Sequence, residues 1–473
     1  MDSLTTAQLA ALTGARLVGD PASLVGPKVV IDSRQAEPGA LFVALPGERV
    51  DGHDFAAAAA ERGAAAVLVA RELDLEIPQL VVPDTQDALA MLATGLVARA
   101  RAGGLRVVGI TGSSGKTSTK DLLAAVLSTA GPTVAPVGSF NNEVGVPLTA
   151  TGVEESTRYL ISEMGARALG DIASLCGVTP PDVGVVLNVG HAHLGEFGSV
   201  SAIARAKGEL VEALAPDGWA VLNAEDPNVI AMAQRTPARI ASFGVTGRPA
   251  TGQLRVWAEQ IHADSLQRHS FLLCTDSGRT PVTLRVAGAH QVANALATAA
   301  AALALGLEVT AIATALGAAE PASRWRMEIT ERADGLLVVN DAYNANPDSM
   351  AAALRSLAGL RRPHGHLVAV LGDMLELGSQ SAQAHREVGE LAGDLGIERV
   401  LALGEFAQAV VDGATSRGSA AVVAPDRESA VRAVRELVSR SDVVLVKASR
   451  GLALESVAEQ LLAEERNRWG QLA

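Results

Sequence analysis

The chain has 473 residues, 48% of them hydrophobic, and carries 52 acidic against 39 basic side chains for a formal net charge of -13. At roughly 150 residues per domain, three domains are expected rather than one. So acidic a surface excludes collecting nucleic acid or anionic lipid over its whole area, and the two cysteines, Cys176 and Cys274, argue against a disulfide framework and for a reducing, cytoplasmic setting.

The first segment, MDSLTTAQLAALTGARL, predicts a short amphipathic helix and lacks the basic start and long apolar stretch of a secretion signal. DSRQAEPGA, from Asp32, reads from its residues alone as a polar turn. A break is expected near Pro83, ahead of a helix, and another between Gly317 and Pro321, where a fresh strand series begins. Short apolar strands alternate with helical patterns through most of the chain: Val107 to Ile110, Val183 to Leu187, Leu336 to Val339, Leu367 to Leu371, Val400 to Leu403 and Val443 to Val446. That alternation predicts an α/β fold of parallel, doubly wound sheets. The alanine-rich run from Val292 to Leu307 is shorter than the ~18 residues a membrane span needs and contains Asn294, so a buried helix is predicted and no membrane insertion.

Gly109 to Lys120 read GITGSSGKTSTK, between the strand ending at Ile110 and a helical pattern with Leu122, Leu123, Val126 and Leu127 on one face. A polyphosphate needs several donors at once. Gly112 and Gly115 let the backbone N–H groups of Ser113, Ser114 and their neighbours converge, and the helix behind presents its positive end. Lys116 adds charge, Thr117 offers a hydroxyl to Mg2+, and Ser118 continues the cradle. Ile110 occupies the place where the usual spacing has a glycine, so the loop is an atypical variant; ATP is the expected ligand.

In TRYLISEMGA the two-residue alternation of Tyr159, Ile161 and Glu163 brings Glu163 to the carboxyl end of a strand, where ligands of open α/β sheets bind. There it either completes a magnesium shell begun by Thr117 or is simply solvated. The next strand runs into HAHLGEFGS, placing His191, His193 and Glu196 on a loop at the same edge. On the following helix, Ser201 to Leu214, Lys207 lies at the margin of the apolar stripe of Ile203, Leu210 and Leu214. An inward ammonium must snorkel, pair with an acid such as Glu209 or Glu212, or lose its charge through a depressed pKa.

Further on, Asn346-Pro347-Asp348-Ser349 reads as a helix start, with Asn as N-cap and Pro in the first turn. Taken in order, DSR at Asp32 with GALFVALPGERVDGHDF, TGSSGKTSTK, NNEVGVPLT, EMGA, NVGHAHLGEFGS, ARAKGEL, GAHQVANALA, NDAYNANPDS, LGDMLELG and VKASR resemble the Mur ligases over the whole chain. The resemblance implies a small α/β N-terminal domain for the UDP-sugar (1–84), a central P-loop parallel-sheet domain for ATP (85–320) and a Rossmann-like C-terminal domain (321–473). It also implies an ADP-forming ligase, acting on small molecules as a monomer, that joins D-alanyl-D-alanine to a UDP-muramoyl-tripeptide through an acyl phosphate.

For the site, it implies that Lys207 is carbamylated, that Thr117 and Glu163 share one magnesium, and that Glu163, His193 and carbamylated Lys207 surround a second, with Lys116 as a further catalytic residue. Asn294 and Arg326 would hold adenine and link the domains, Asp341 would meet the ribose, and Tyr343 and Asn344 would neighbour the base. Ser33 and Arg34 would lie near the uridine, and Asn141 and Asn142 near the muramoyl or diphosphate portion. Lys447, Ser449 and Arg450 would include the group that holds the dipeptide's carboxylate, although Ala448 stands where the pattern expects glycine. An open arrangement is expected without nucleotide. A sister amide ligase shares the loop, Glu163 and Lys207; an ATP-operated switch protein is the alternative from another class.

Overall fold

Three large sheets follow one another along the chain in the computed structural model, which describes residues 1–47, 50–190 and 194–469, beside a two-stranded antiparallel pair of Leu4–Thr5 and Leu24–Val25. The first has the order Arg16–Val18, Gln79–Val81, Ala66–Val69, Leu41–Val43, Val29–Val30, parallel except for Arg16–Val18 at one edge. Its apolar strands Leu41–Val43 and Ala66–Val69 are buried along their length, as strands covered on both faces must be. Helix Thr6–Thr13 leans on this sheet, started by a capping box from Thr5 to Gln8 and stopped by Gly14 in the left-handed region at φ 67.

Asp84 caps helix Thr85–Ala102, just past Pro83. Its face of Leu89, Leu92 and Leu96 packs into a core holding Leu80 from the first sheet and Val107 and Leu160 from the second, so the two sheets share apolar packing. The second sheet has nine strands. Leu254–Ala263, Arg239–Gly244, Trp219–Asn223, Val183–Val186, Arg106–Thr111, Tyr159–Glu163 and Thr133–Val134 run parallel in that order. Arg268–Thr275 and Gly278–Ala287 extend it as antiparallel hairpins. This extension departs from the predicted strand–helix alternation: alternating polar and apolar residues such as those of Gly278–Ala287 can leave one face wet, which parallel sheets seldom do.

Arg106–Thr111 lies between Tyr159–Glu163 on one side and Val183–Val186 on the other. The connections leave it in opposite directions there, and the crevice beyond the carboxyl ends of such strands is where ligands bind. The alanine-rich helix His290–Ala304 covers this sheet as predicted: Ala295, Ala297 and Ala299 to Ala302 bury their small side chains against the core shared with Leu122, Leu123, Val126 and Leu127. In the third sheet Leu337–Asn340, Val443–Lys447, Leu367–Gly372, Arg399–Leu403 and Ala420–Val423 are parallel, with Glu328–Glu331 antiparallel at the edge. Helix Pro347–Gly359 starts on Asn346, whose side chain accepts from the Ser349 N–H.

Candidate active site

Strand Arg106–Thr111 delivers the chain into a turn at 112–115, and helix Lys116–Ser128 starts at once. Gly115 is its N-cap in the left-handed region at φ 81, and a Cβ there would lie 2.6 Å from Asn294 Oδ1. At Gly112 a Cβ would lie 2.9 Å from Leu187 Cβ, so both glycines are needed for the close approach of backbone to neighbours. Asn188, just beyond strand Val183–Val186, braces the turn: its Oδ1 accepts from Ser114 N–H at 2.9 Å and its carbonyl from Ser113 N–H at 3.1 Å. The Lys116 ammonium folds back to donate to Gly112 O at 2.7 Å, and burial, opposed by the Glu163 charge and aided by Arg326, pulls its pKa below the ordinary lysine value.

Register places Glu163 opposite Ile110, at the mouth of that turn. Its carboxylate is fully buried and used asymmetrically. Oε1 accepts from Ser139 Oγ at 2.6 Å, Asn141 Nδ2 at 2.8 Å and Thr117 Oγ1 at 3.2 Å. Oε2 is buried with no partner. A carboxylate with one oxygen fixed by three donors and the other unanswered suits a hard cation, and with the Thr117 hydroxyl it offers the oxygen donors that Mg2+ takes. Among the described residues no group of three or more His, Cys, Asp or Glu could hold a metal; His193, like His191, lies outside the described residues.

Lys207 is 3% exposed on helix Val200–Glu212, inside the stripe rather than snorkelling from it. The acids that offered it a partner are engaged elsewhere. Glu209 accepts from Gly170 and Ala173 N–H at 2.7 and 3.0 Å, and Glu212 pairs with Arg235 at 2.8 Å. Burial, and then the nearby Lys116 charge, lower its pKa to about 7. Of the three fates open to an inward lysine, burial with a lowered pKa is the one these surroundings favour.

The third domain reaches the loop. Arg326 Nη2 donates to Thr117 Oγ1 at 2.8 Å while its guanidinium lies 4.2 Å over the Tyr343 ring. The linker that carries it holds Trp325 and Met327 at φ 60 and 48, unfavourable for side chains of that size. Backbone bonds hold that geometry: Trp325 N–H to Glu328 Oε2 at 3.1 Å and Met327 N–H to Asp341 Oδ1 at 3.0 Å. Asn346 Nδ2 contacts Ser113 O at 3.4 Å, and Gly195 N–H donates to Glu376 O at 3.1 Å. The domains therefore meet around the loop.

A cavity of about 990 Å³ opens between them. Ser113, Ser114, Gly115, Lys116, Thr117 and Ser118 line it with Asn141, Asn142, Glu163, Asn294, Arg326, Asp341, Tyr343, Asn344, Lys447, Ser449 and Arg450. Lys207 does not line it but is buried near Lys116. Ser33 and Arg34 stand apart in the first domain, which contributes Ile31 to the wall, and Arg34 binds Asp32 through both carboxylate oxygens.

Several predicted contacts are already committed within the protein. Asn141 serves Glu163, and Asn142 Oδ1 accepts from Gly145 N–H at 2.9 Å. Asp341 Oδ2 accepts from Lys447 at 2.7 Å, and Lys447 also donates to Asn344 O at 2.8 Å. Ser449 Oγ accepts from Leu375 N–H at 3.0 Å. Sequence reasoning missed Asn188 and Ser139. The first had a signal, as an amide directly after a strand that flanks the loop; the second, on an irregular stretch, had none.

A phosphate cradle at a sheet's switch point, a buried acid beside it and a second α/β domain closing over both define an ATP-using enzyme of the P-loop class. Family models agree with the three parts: Mur ligase family, catalytic domain, matches residues 28–101; Mur ligase middle domain, residues 110–302; and Mur ligase, glutamate ligase domain, residues 325–450. The chain belongs to the Mur ligase family. It is 44% identical to the UDP-N-acetylmuramoyl-tripeptide--D-alanyl-D-alanine ligase of Mycobacterium tuberculosis strain H37Rv over 98% of this chain and 99% of that one. A crystal structure of MurF from Acinetobacter baumannii superposes with a TM-score of 0.86 at 34% identity, covering 98% of this chain and 99% of that one. MurF ligase from Thermotoga maritima in complex with ADP gives 0.78 at 30%, covering 93% and 98%.

Proposed function

We propose that this chain is the ligase that joins D-alanyl-D-alanine to the UDP-N-acetylmuramoyl-tripeptide, with ATP converted to ADP and phosphate, in peptidoglycan precursor synthesis. The observation that carries the chemistry is Glu163, buried, with one oxygen fixed by three donors and the other unpartnered, at the mouth of the Lys116–Thr117 loop. The similarity over almost the full length carries the choice of substrates.

The tripeptide's terminal carboxylate cannot expel oxide, so it is activated first. A carboxylate oxygen attacks the γ-phosphorus, the bond to ADP breaks, and an acyl phosphate forms. The neutral amine of the dipeptide then adds to the carbonyl carbon, phosphate leaves, and the amide remains after a proton is lost to solvent. Lys116 and Arg326 place positive charge where the transferring group develops negative charge, the main source of catalysis in phosphoryl transfer. Contacts of the third domain with the loop keep water from the acyl phosphate. Mg2+ would be held by Glu163 Oε2 and the Thr117 hydroxyl and would supply charge neutralisation for the triphosphate. Lys207, buried and with its pKa lowered to about 7, would add CO2 through its neutral amine and lose a proton to become an anionic carbamate facing the same region, with His193 joining Glu163 at a second ion.

In this reading residues 1–84 receive the UDP-sugar through Ser33 and Arg34, 85–320 bind ATP with Asn294 at the base, and 321–473 supply Asp341, Tyr343 and Asn344 to the nucleotide and Arg450 to the dipeptide. No described helix is long and apolar enough to cross a membrane; the proposal itself is of a monomer acting in the cytoplasm. Purified protein given the UDP-tripeptide, the dipeptide and Mg-ATP should release phosphate and amide product in equal amounts. ATP hydrolysis indifferent to both organic substrates would overturn the proposal in favour of a switch protein.

A further inference from the structure

Of the three cavity groups at the end of strand Val443–Lys447, two are spent inside the protein. The Lys447 ammonium is held by Asp341 and Asn344, and the Ser449 hydroxyl accepts from Leu375 N–H. Arg450 differs: its side chain is half-exposed on the cavity wall, with its guanidinium held from two sides. Nη1 donates to Glu455 Oε1, and the flat face lies 4.4 Å over the Trp325 ring. Glu455 is 8% exposed at the start of helix Glu455–Trp469, and its Oε2, like Trp325 Nε1, is buried without a partner. Burying a half-satisfied carboxylate and an unpartnered indole N–H is costly, and neither group is in the cavity lining. Each nevertheless does one thing to Arg450: the acid fixes the fork's rotation, and the ring fixes its plane. Arg450 itself lines the cavity, and the planar fork of a guanidinium is matched to a carboxylate.

We propose that Glu455 and Trp325 are positioning residues that hold Arg450 as the anchor for the carboxylate of the incoming dipeptide. The inference rests on the ligase reading above. Because Trp325 adjoins Arg326, the strained linker that brings one guanidinium to the phosphate loop also builds the platform for the other, so one docking of the third domain completes both subsites.

The test is steady-state kinetics of the full chain with D-alanyl-D-alanine and with its C-terminal amide. Native protein should prefer the acid. Glu455→Ala and Trp325→Ala should raise the KM for the acid roughly tenfold or more, with little change in kcat or in the KM for ATP, and should leave the amide's KM almost where it was. Glu455→Gln and Trp325→Phe, which keep an acceptor and a ring face, should recover part of the loss, and Arg450→Lys should lose the acid preference as the Ala variants do. An acid preference unchanged in Glu455→Ala and Arg450→Lys overturns the inference while native turnover stands. A native enzyme that makes no amide from the dipeptide overturns the ligase reading itself.

Discussion

Replacing Gly115 by Ala tests whether the phosphate cradle is the geometry described. The backbone there is left-handed at φ 81, which costs an alanine about 1–2 kcal/mol. The new Cβ would stand 2.6 Å from Asn294 Oδ1 and 3.4 Å from Leu187 Cδ1. Asn294 is 5% exposed and held by its bond to Gln291 Oε1 at 2.9 Å, so moving it away sacrifices that bond, worth about 1 kcal/mol. About 2–3 kcal/mol must come from the turn, from Asn294, or from both. If nucleotide binding needs the undistorted turn, the Kd of a non-hydrolysable ATP analogue should rise roughly 30- to 150-fold by titration calorimetry. Gly170 provides the control, since it too is a left-handed helix N-cap, at φ 94, but a Cβ there meets nothing within 4 Å. Gly170→Ala should carry the backbone strain alone and leave the analogue's Kd unchanged. An analogue affinity in Gly115→Ala within about threefold of native, or an equal loss in both variants, would refute the reasoning, because the close packing of the turn against Asn294 would then not govern the site.

Lys207→Ala should abolish amide formation, with partial rescue by short carboxylic acids that replace the carbamate, and intact-mass analysis of native protein in bicarbonate should show one added CO2; full activity without Lys207 would remove it from the mechanism. Asn141→Ala takes one of three donors from Glu163 Oε1, so Mn2+ affinity measured by electron paramagnetic resonance should fall about tenfold or more, whereas metal-free nucleotide binding should hold. His385, fully buried, accepts from Met374 N–H through Nε2 at 2.9 Å and faces Ser381 O through Nδ1 at 2.6 Å. A donor on Nε2 requires that nitrogen to be unprotonated, and burial lowers the pKa below the ordinary histidine value. The unfolded chain then binds the proton first, so the stability this ring provides is complete above about pH 6.5 and lost as pH falls through the folded value. Denaturation of native and His385→Gln protein should show their stability difference shrinking on acidification, and a difference independent of pH would contradict this environment.

How far the sequence alone reaches can be judged residue by residue. The cradle was legible because it is local: Gly112, Gly115, Lys116 and Thr117 act through chain geometry within one strand–turn–helix. Lys207 was legible as an anomaly, a long cation at the margin of an apolar stripe, but its fate was not, since that depended on whether Glu209 and Glu212 were engaged by Gly170, Ala173 and Arg235. Asn141 and Lys447 both line the cavity, but their partners within the protein were not legible, because a polar side chain's partner is decided by other loops: Glu163 for one, Asp341 for the other. The antiparallel extension at Arg268–Thr275 and Gly278–Ala287 escaped for a related reason, its alternating pattern being short-range information set against a strong parallel-sheet signal elsewhere.

Contacts between the domains were the least legible of all, yet they decide how the steps are ordered. Thr117 and Asp121 lie one turn apart on helix Lys116–Ser128, so they share a face. Both are taken by the linker: Asp121 Oδ2 accepts from Ser323 N–H at 3.1 Å, and Thr117 accepts from Arg326. The linker therefore runs along the helix whose N-terminus forms the cradle, and it cannot move without disturbing the residue that would meet a metal. Two left-handed residues in five positions, Trp325 and Met327, make this path costly for the chain by itself. Docking must supply what the backbone loses, and the contacts that supply it, Arg326 on Thr117 and Asn346 on Ser113, are made to the loop itself. In the proposed mechanism, a third domain tethered in this way would respond to the state of the triphosphate site before the acceptor amine arrives, the order that a water-sensitive acyl phosphate would require.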